Sequence, residues 1–449
     1  MAYKTGSGSG VAALALALAL AGSGAAARGA PPPPPASLLP PAGAGTAPAP
    51  TPSPAPSPAP SPAATGTPVI EALPNPAATS AVPVVEPVMS WTIADADALL
   101  QFIGTIDSEG LIPEDYQPEA LQAAIAKGIG PDLDSQASRS FDWLAEDLRD
   151  GRTPMSARVQ WFALDPDADD DPTPTILAQA LASHDIAGTL TALDPANGEF
   201  AALKQALAAA APDDEHLRDL IRVNMDRWRW LPRDLGKIYL IVNVPEFEVR
   251  FVSNHQIIRS YRTIVGKPGR TATPQLAETV EAVVFNPTWT VPQSIIQHEP
   301  KFARLAANPA AARRQGYVVT RSADGTVTLV QQPGPRNSLG LMKIDMPNPW
   351  AIYLHDTPDR ALFNEPVRAF SHGCIRTDKA VELGMIMAML GTNMTPDEAI
   401  AKTKARKYAR VPMAKTFPVY IFYSTFGRDD AGQLTEFNDL YGRDAPVIA

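Results

Sequence analysis

Over the first globular stretch, apolar positions recur at intervals of three and four: Ile93, Ala96, Leu99, Leu100 and Ile103, then Phe141, Leu144 and Leu148. That period puts them on one face of a helix. The segment EGLIPEDY, Glu109 to Tyr116, supplies a turn between helices. A second stretch, Ile176 to Trp230, is rich in alanine and leucine with few β-branched residues, so the spacing predicts an all-α domain over 88–234. At Leu235 the period shortens to two. Runs of β-branched and aromatic residues bounded by Gly, Pro and Asn predict strands over Ile238–Val244, Glu248–Val252, Thr279–Phe285, Gly316–Thr320, Thr326–Gln331, Ala351–His355 and Val419–Phe426. Helices are expected near Asp378–Leu390 and Pro396–Lys407, the second opened by a capping box of Thr395 and Glu398 with Pro396 at its first position. The fold class is α+β, an all-α domain followed by a mainly β domain over 235–449.

The pattern fails before residue 88. Val11 to Ala21 is uniformly apolar, follows a single positive charge at Lys4 and precedes small residues with an A-x-A match at Ala25 and Ala27. This reads as a secretory signal peptide over 1–27, too short to span a bilayer, which needs about 20 apolar residues. Residues 28–87 are mainly Pro, Ala, Ser, Thr and Gly with PAPSPAPSPAP repeats and few charged or large apolar side chains, and hold 20 of the chain's 47 prolines. Such a segment has little to bury and favours extended polyproline II, so it reads as a disordered spacer. No stable membrane span is expected after signal cleavage.

Composition narrows the function. The 449 residues carry 38 basic and 48 acidic side chains, a net charge of −10, which argues against a nucleic-acid partner that must neutralise phosphates. One cysteine excludes an intrachain disulfide framework and any multi-cysteine metal site. Asp165, Asp167 and Asp169 imitate the start of an EF-hand loop, but Asp170 and Ile176 stand where that loop needs glycine and glutamate. The run reads as a solvated acidic loop.

The sole cysteine, Cys374, lies in RAFSHGCIRT, and His355 ends AIYLHDT 19 residues earlier. Alternation along the strand puts Tyr353 and His355 on one, open face and Ile352 and Leu354 in the core. A thiol beside an imidazole can lose its proton and act as a nucleophile. Gly373 clears the approach and leaves backbone N–H groups for a developing oxyanion. A helix expected to start near Thr377 or Asp378 would add positive potential at the sulfur if its N-terminus pointed there. A free cysteine is often a small buried hydrophobe. Against that stand the polar neighbours Ser371, His372 and Arg376, and the oxidation risk that an unused thiol brings to a secreted protein. Metal ligation by His372 and Cys374 lacks further clustered ligands, since His184, His216, His255 and His298 are isolated in sequence. Neither metal nor cofactor is expected.

SHGCIR with the histidine of YLHDT upstream resembles the signature of the YkuD-domain L,D-transpeptidases. Similarity extends to RWRWLP (Arg227 to Pro232), NVPEFEV (Asn243 to Val249), IVGKPGRTATP (Ile264 to Pro274), NPTWTVPQSI (Asn286 to Ile295), QQPGPRNSLG (Gln331 to Gly340) and the closing PVYIFYSTF. These match the larger YcbB-like subgroup, whose helical scaffold domain carries a counterpart of EGLIPEDY. The resemblance implies an all-α scaffold domain, a mainly β YkuD-type catalytic domain, and a lid subdomain inserted at about 299–332. Two features depart from family patterns. Arg376 stands where many shorter members have asparagine, and the stretch Leu203 to Asp226 is too short for the small peptidoglycan-binding module that many YcbB-like proteins carry.

By the same resemblance the substrate is a peptidoglycan tetrapeptide stem. Cys374 attacks the carbonyl of its third residue with His355 as base, D-alanine leaves, and an amine from a neighbouring stem resolves the thioester into a third-to-third cross-link. Backbone N–H groups around Gly373 and Cys374, with the Tyr353 hydroxyl, would hold the oxyanion. His372 would shape the loop, although the division of roles between the two histidines stays open. Ser371, Arg376, Trp289 and Asn337 are candidate substrate contacts. Other wall synthases are expected as partners, and the periplasm as the location. Hydrolysis by water, giving a carboxypeptidase or endopeptidase, is the alternative within the enzyme class. A sortase-like reading fails on the spacing of the histidine, and a non-catalytic wall-binding scaffold is opposed by the intact Cys374 and His355.

Overall fold

The computed structural model describes residues 89–163 and 172–447. The expected signal peptide (1–27), the spacer (28–87) and the acidic run Asp165 to Asp169 lie outside the described residues.

The first half is helical: α1 (Ile93–Ile103), α2 (Pro118–Lys127), α3 (Pro131–Asp150), α4 (Thr173–Ser183), α5 (Ile186–Thr191), α6 (Gly198–Ala209) and α7 (Glu215–Arg229). Local signals set their ends. The Thr92 side chain accepts the Asp95 N–H at the start of α1, and prolines open α2 and α3, where a missing N–H costs nothing. Trp91, Leu99, Tyr116, Phe141, Leu144 and Leu148 help fill the core of α1 to α5; Leu99, Phe141, Leu144 and Leu148 lie on the three- and four-residue spacing read from the sequence. Leu203 and Leu207 of α6, with Ile221 and Trp228 of α7, pack instead against Tyr239, Ile241, Tyr420 and Phe422 of the β domain.

Helix α7 also buries polar groups that reach both ways. Toward the helical half, the Asp226 carboxylate takes the Arg152 N–H at 2.6 Å, and Arg229 donates to the Glu109 carbonyl at 2.7 Å. Toward the chain's end, Asn224 accepts the Thr425 N–H at 2.8 Å and Arg227 donates to the Arg443 carbonyl at 2.7 Å. RWRWLP is therefore a joint between domains.

The β domain contains β1 (Ile238–Asn243), β2 (Glu248–Ser253), β3 (Gln256–Gly266), β4 (Leu276–Phe285), β5 (Trp289–Thr290), β6 (Tyr317–Arg321), β7 (Val327–Gln331), β8 (Met342–Asp345), β9 (Leu354–His355), β10 (Ala369–Ser371), β11 (Ile375–Thr377), β12 (Ala409–Phe422), β13 (Phe426–Arg428) and β14 (Leu434–Glu436). The main sheet runs β10-β3-β11-β9-β8-β4-β12-β1-β2, and a further β2–β3 pairing brings its end back onto itself. The rolled sheet encloses Leu240, Val242, Val249, Val283, Ile344, Leu354, Ile375 and Ile421, while the alternate positions Tyr239 and Ile241 face α6 and α7. Helix α11 (Ala380–Gly391) packs into the enclosed core through Leu383 and Met387, and α12 (Pro396–Lys404) carries the expected capping box.

A small subdomain of α8 (Gln293–His298), α9 (Pro300–Ala307), α10 (Pro309–Arg314) and the sheet β5-β7-β6 has its own core of Trp289, Ile295, Phe302, Leu305, Tyr317 and Leu329. Trp289 pairs with Gln331, so the subdomain reaches back ahead of residue 299. Among the described residues no helix is long and apolar enough to cross a membrane.

The strand expected over Ala351–His355 is shorter than its alternation suggests. Asn348 accepts the Ile352 N–H (3.1 Å) and donates to the Met346 and Ile352 carbonyls (2.6 and 2.7 Å), closing a turn that holds Ala351 at a φ of +54°. Pairing begins only at Leu354.

Candidate active site

Strand register gathers the candidate residues. Strand β11 runs parallel to β9 with Ile375 opposite Leu354 and Arg376 opposite His355, and β8 runs antiparallel with Lys343 opposite His355. Opposed residues share a face and neighbours alternate. Lys343, His355 and Arg376 therefore lie on one face with Tyr353 and Cys374, while Ile344, Leu354 and Ile375 enter the core. The Ile375 N–H donates to the Tyr353 carbonyl at 3.0 Å, which sets Cys374 beside Tyr353. The Tyr353 and His355 rings meet edge to face at 5.6 Å. The shared face follows the alternation, but His355 is buried and not on an open surface.

The loop before β11 is cross-braced. Ser371 Oγ donates to the Cys374 carbonyl at 2.6 Å and accepts the Gly373 N–H at 3.1 Å. Thr273 Oγ1 donates to the Gly373 carbonyl at 2.8 Å and accepts the Gly266 N–H at 2.9 Å. Gly373 has a φ of +116°, a conformation strained for any residue with a Cβ, and a Cβ there would lie 3.1 Å from Ile352 Cδ1. Two expectations change here. The Gly373 N–H is spent on Ser371 and is not free for an oxyanion, whereas the Cys374 N–H has no partner among the described residues. The helix expected at Thr377 or Asp378 starts at Ala380, because 375–377 pair as β11, so Cys374 precedes a strand and not a helix N-terminus.

Charge states follow from burial. His355 Nδ1 lies 2.6 Å from the Asp356 carbonyl. A carbonyl only accepts, so Nδ1 carries the proton and Nε2 keeps its lone pair. Burial, then the nearby Arg376 charge, pushes the His355 pKa down to about 3. Burial pushes the Cys374 thiol up, opposed by the Tyr353 N–H and hydroxyl and by the charges of Lys343 and Arg376. The resting pair is a neutral thiol and a neutral imidazole. The thiol donates to the Ala351 carbonyl at 3.4 Å, so its proton is held there and not by His355. A buried neutral base beside a thiol can take that proton as the sulfur attacks, while Lys343, over the Tyr353 ring at 4.3 Å, and Arg376 supply positive potential.

The remaining sequence candidates separate. His372 is half exposed and its Nε2 lies 2.9 Å from Glu299 Oε1, between α8 and α9, so it links the loop to the small subdomain. Arg376 lies 3.6 Å from Asp359. Trp289 is buried edge-on against Phe302, with its side chain against the Tyr353 hydroxyl. Asn337 departs from the expected substrate contact: it is buried, donates to the Pro287 and Gln332 carbonyls at 3.0 Å and accepts the Leu339 N–H at 2.8 Å. Its side chain is consumed in closing its own loop. Ser371 is buried and likewise occupied.

The sequence reading missed Lys343, Thr273, Glu299 and Asp356. Buried Asp356 accepts the Leu341 N–H at 2.8 Å and pairs with Arg360 at 2.5 Å, and so steadies the carbonyl that orients His355. The available signal was its place beside His355 and the alternation of Lys343 with apolar Met342 and Ile344. Among the described residues no three His, Cys, Asp or Glu side chains gather as a metal site.

A buried histidine on one strand of a rolled sheet and a braced cysteine just before the adjoining strand, reached by a small inserted subdomain, give this fold a thiol-centred site. Residues 237–386 match the L,D-transpeptidase catalytic domain named YkuD, and residues 89–207 match the Scaffold domain. The chain thus carries a YkuD L,D-transpeptidase catalytic domain behind a scaffold domain, and this architecture fits the YcbB-like subgroup. A candidate L,D-transpeptidase of Haemophilus influenzae is 28% identical over 250 residues, covering 52% of this chain and 50% of that protein, so the chain spans about half the length of this curated relative. The catalytic domain of the Enterococcus faecium L,D-transpeptidase, solved acylated by ertapenem, is 16% identical with a TM-score of 0.20, covering 42% of this chain and 99% of that one. The Mycobacterium smegmatis L,D-transpeptidase is 14% identical with a TM-score of 0.21, covering 42% and 59%.

Proposed function

We propose that this protein is a periplasmic peptidoglycan L,D-transpeptidase that forms third-to-third cross-links through a thioester on Cys374. The observation that carries the reading is the register of β9 and β11, which sets Cys374 beside Tyr353 and one step from His355. Cys374 Sγ attacks the carbonyl of the third stem residue and His355 Nε2 takes the thiol proton. The tetrahedral oxyanion then collapses, expelling the D-alanine amine with that proton and leaving the thioester. The third-residue amine of a second stem attacks the thioester, passes a proton to His355, and releases the thiol. The Cys374 N–H and the Tyr353 hydroxyl are the donors proposed for the oxyanion.

Muropeptide mass spectrometry on cells expressing the wild type or Cys374→Ala tests this. Third-to-third dimers should vanish in the variant; shortened monomers without dimers would point to hydrolysis, and identical profiles would remove the catalytic reading. As with other members of the family, a carbapenem should add its mass to the purified protein only when Cys374 is present.

A further inference from the structure

Two aromatic rings stack in the open beside the nucleophile loop. Phe162, on the segment that follows α3 within the helical half, and Trp350, on the turn before β9, have ring centroids 4.3 Å apart and planes 21° from parallel. They remain 38% and 39% exposed. Rings of this size usually gain from fuller burial, so a stacked pair left facing water marks a surface with a use.

Both rings are tied to the nucleophile loop. Ala351, next to Trp350, accepts the Cys374 thiol at 3.4 Å, and its own N–H closes the turn onto the Asn348 carbonyl at 3.1 Å. On the other side the Phe162 N–H donates to the Gln275 carbonyl and the Gln275 N–H to the Gln160 carbonyl, each at 2.9 Å. Two residues before Gln275, Thr273 grips the Gly373 carbonyl. The pair is thus a fixed shelf at a fixed offset from the sulfur, half of it supplied by the segment that follows α3.

We propose that Phe162 and Trp350 form a platform for a pyranose ring of the glycan strand whose stem peptide is bound at Cys374. This rests on the reading of Cys374 as the nucleophile on wall peptides. A stem peptide is dense in amides and carboxylates and offers no broad apolar plane. A pyranose presents a face of C–H groups that seats on aromatic rings. With the third residue at the sulfur, the two preceding residues extend roughly 7 Å, so the sugar-bearing end of the stem falls within reach of rings anchored next to the thiol's acceptor.

The test compares two donors, a free tetrapeptide stem and the same stem carrying its disaccharide, for the wild type, Phe162→Ala, Trp350→Ala and Trp350→Phe. The alanine variants should lose about tenfold in kcat/KM, equivalent to about 1.4 kcal/mol, on the disaccharide donor alone. Trp350→Phe, which keeps a ring, should retain most of the activity. Tryptophan fluorescence gives a second readout: the stem-free disaccharide should shift the emission of the wild type but not of Trp350→Phe. Equal losses on both donors, or no loss on either together with no fluorescence shift, would overturn the platform. Failure of the wild type to turn over either donor would overturn the reading of Cys374 beneath it.

Discussion

The Nδ1 of His355 lies 2.6 Å from the main-chain oxygen of Asp356, its own successor in the chain. A carbonyl oxygen only accepts, so the neutral imidazole is held in one tautomer, with Nε2 as its basic atom. The orientation depends on Asp356 keeping its place, which the Leu341 N–H and Arg360 secure.

Acid should inactivate the protein late. The imidazole serves as a base only while neutral, and burial, followed by the Arg376 charge, holds its pKa down at about 3. Acylation by a carbapenem, followed by mass spectrometry, should therefore show no loss centred on pH 6.5, the usual histidine midpoint, and should decline only as pH approaches the shifted value. Removing the second cause with Arg376→Gln should move that decline upward while leaving it below 6.5. A wild-type decline at the ordinary histidine midpoint would contradict the assignment of base.

Gly373→Ala should separate strain from chemistry. A φ of +116° and the 3.1 Å approach to Ile352 should cost about 1–3 kcal/mol in urea unfolding. The carbapenem acylation rate should fall further, by about tenfold or more, because the Cys374 N–H and Sγ move together with the loop. An active, fully stable variant would show that the conformation is dispensable.

Asn224→Leu should weaken the whole described structure. The Asn224 side chain is buried between the Leu220 carbonyl, the Thr425 N–H and hydroxyl, and the Ser424 hydroxyl. Leucine strands these partners at about 1–3 kcal/mol for each buried group left unpaired. Thermal unfolding should shift down as one transition seen by both far-UV and near-UV circular dichroism. Loss of the helical signal alone would mean that the joint is not shared.

Glu299→Gln should loosen the small subdomain at little cost in stability. The His372–Glu299 contact is half exposed, so its contribution is about 1 kcal/mol or less. Hydrogen exchange over residues 293–314 should quicken about two- to fivefold, with acylation by a small carbapenem unchanged. Unaltered exchange would mean that the contact does not restrain the subdomain.

Local features of this site were legible and tertiary ones were not. Cys374, His355 and the motif around them are short-range, and alternation correctly grouped Tyr353 with His355 because both faces of the strand obey a period of two. Lys343 was missed because its alternation with Met342 and Ile344 shows only that it faces away from the core; that this face is shared with His355 is set by pairing between β8 and β9. Asn337 looked available because asparagine is polar and its neighbourhood is loop-like; its burial is set by Pro287 and Gln332 folding over it. The helix after Cys374 was placed too early, since the apolar period of Ile375 and the residues beyond it does not reveal that 375–377 are claimed by a partner strand. The Ala351 turn was hidden in the same way, its strand pattern overridden by the Asn348 side chain.

Helix α7, Glu215–Arg229, belongs to neither matched segment, yet its buried Asn224, Asp226, Arg227 and Arg229 grip the helical half and the chain's last turns together. Arg227 also pairs with Asp444 at 2.7 Å, so a recombination event that exchanged either domain for that of a relative would have to carry α7 and the residues around Thr425, Arg443 and Asp444 as one inherited set. The two domains are separable on paper at residue 235, but as units of exchange their boundary lies in three stretches of chain that meet only after folding.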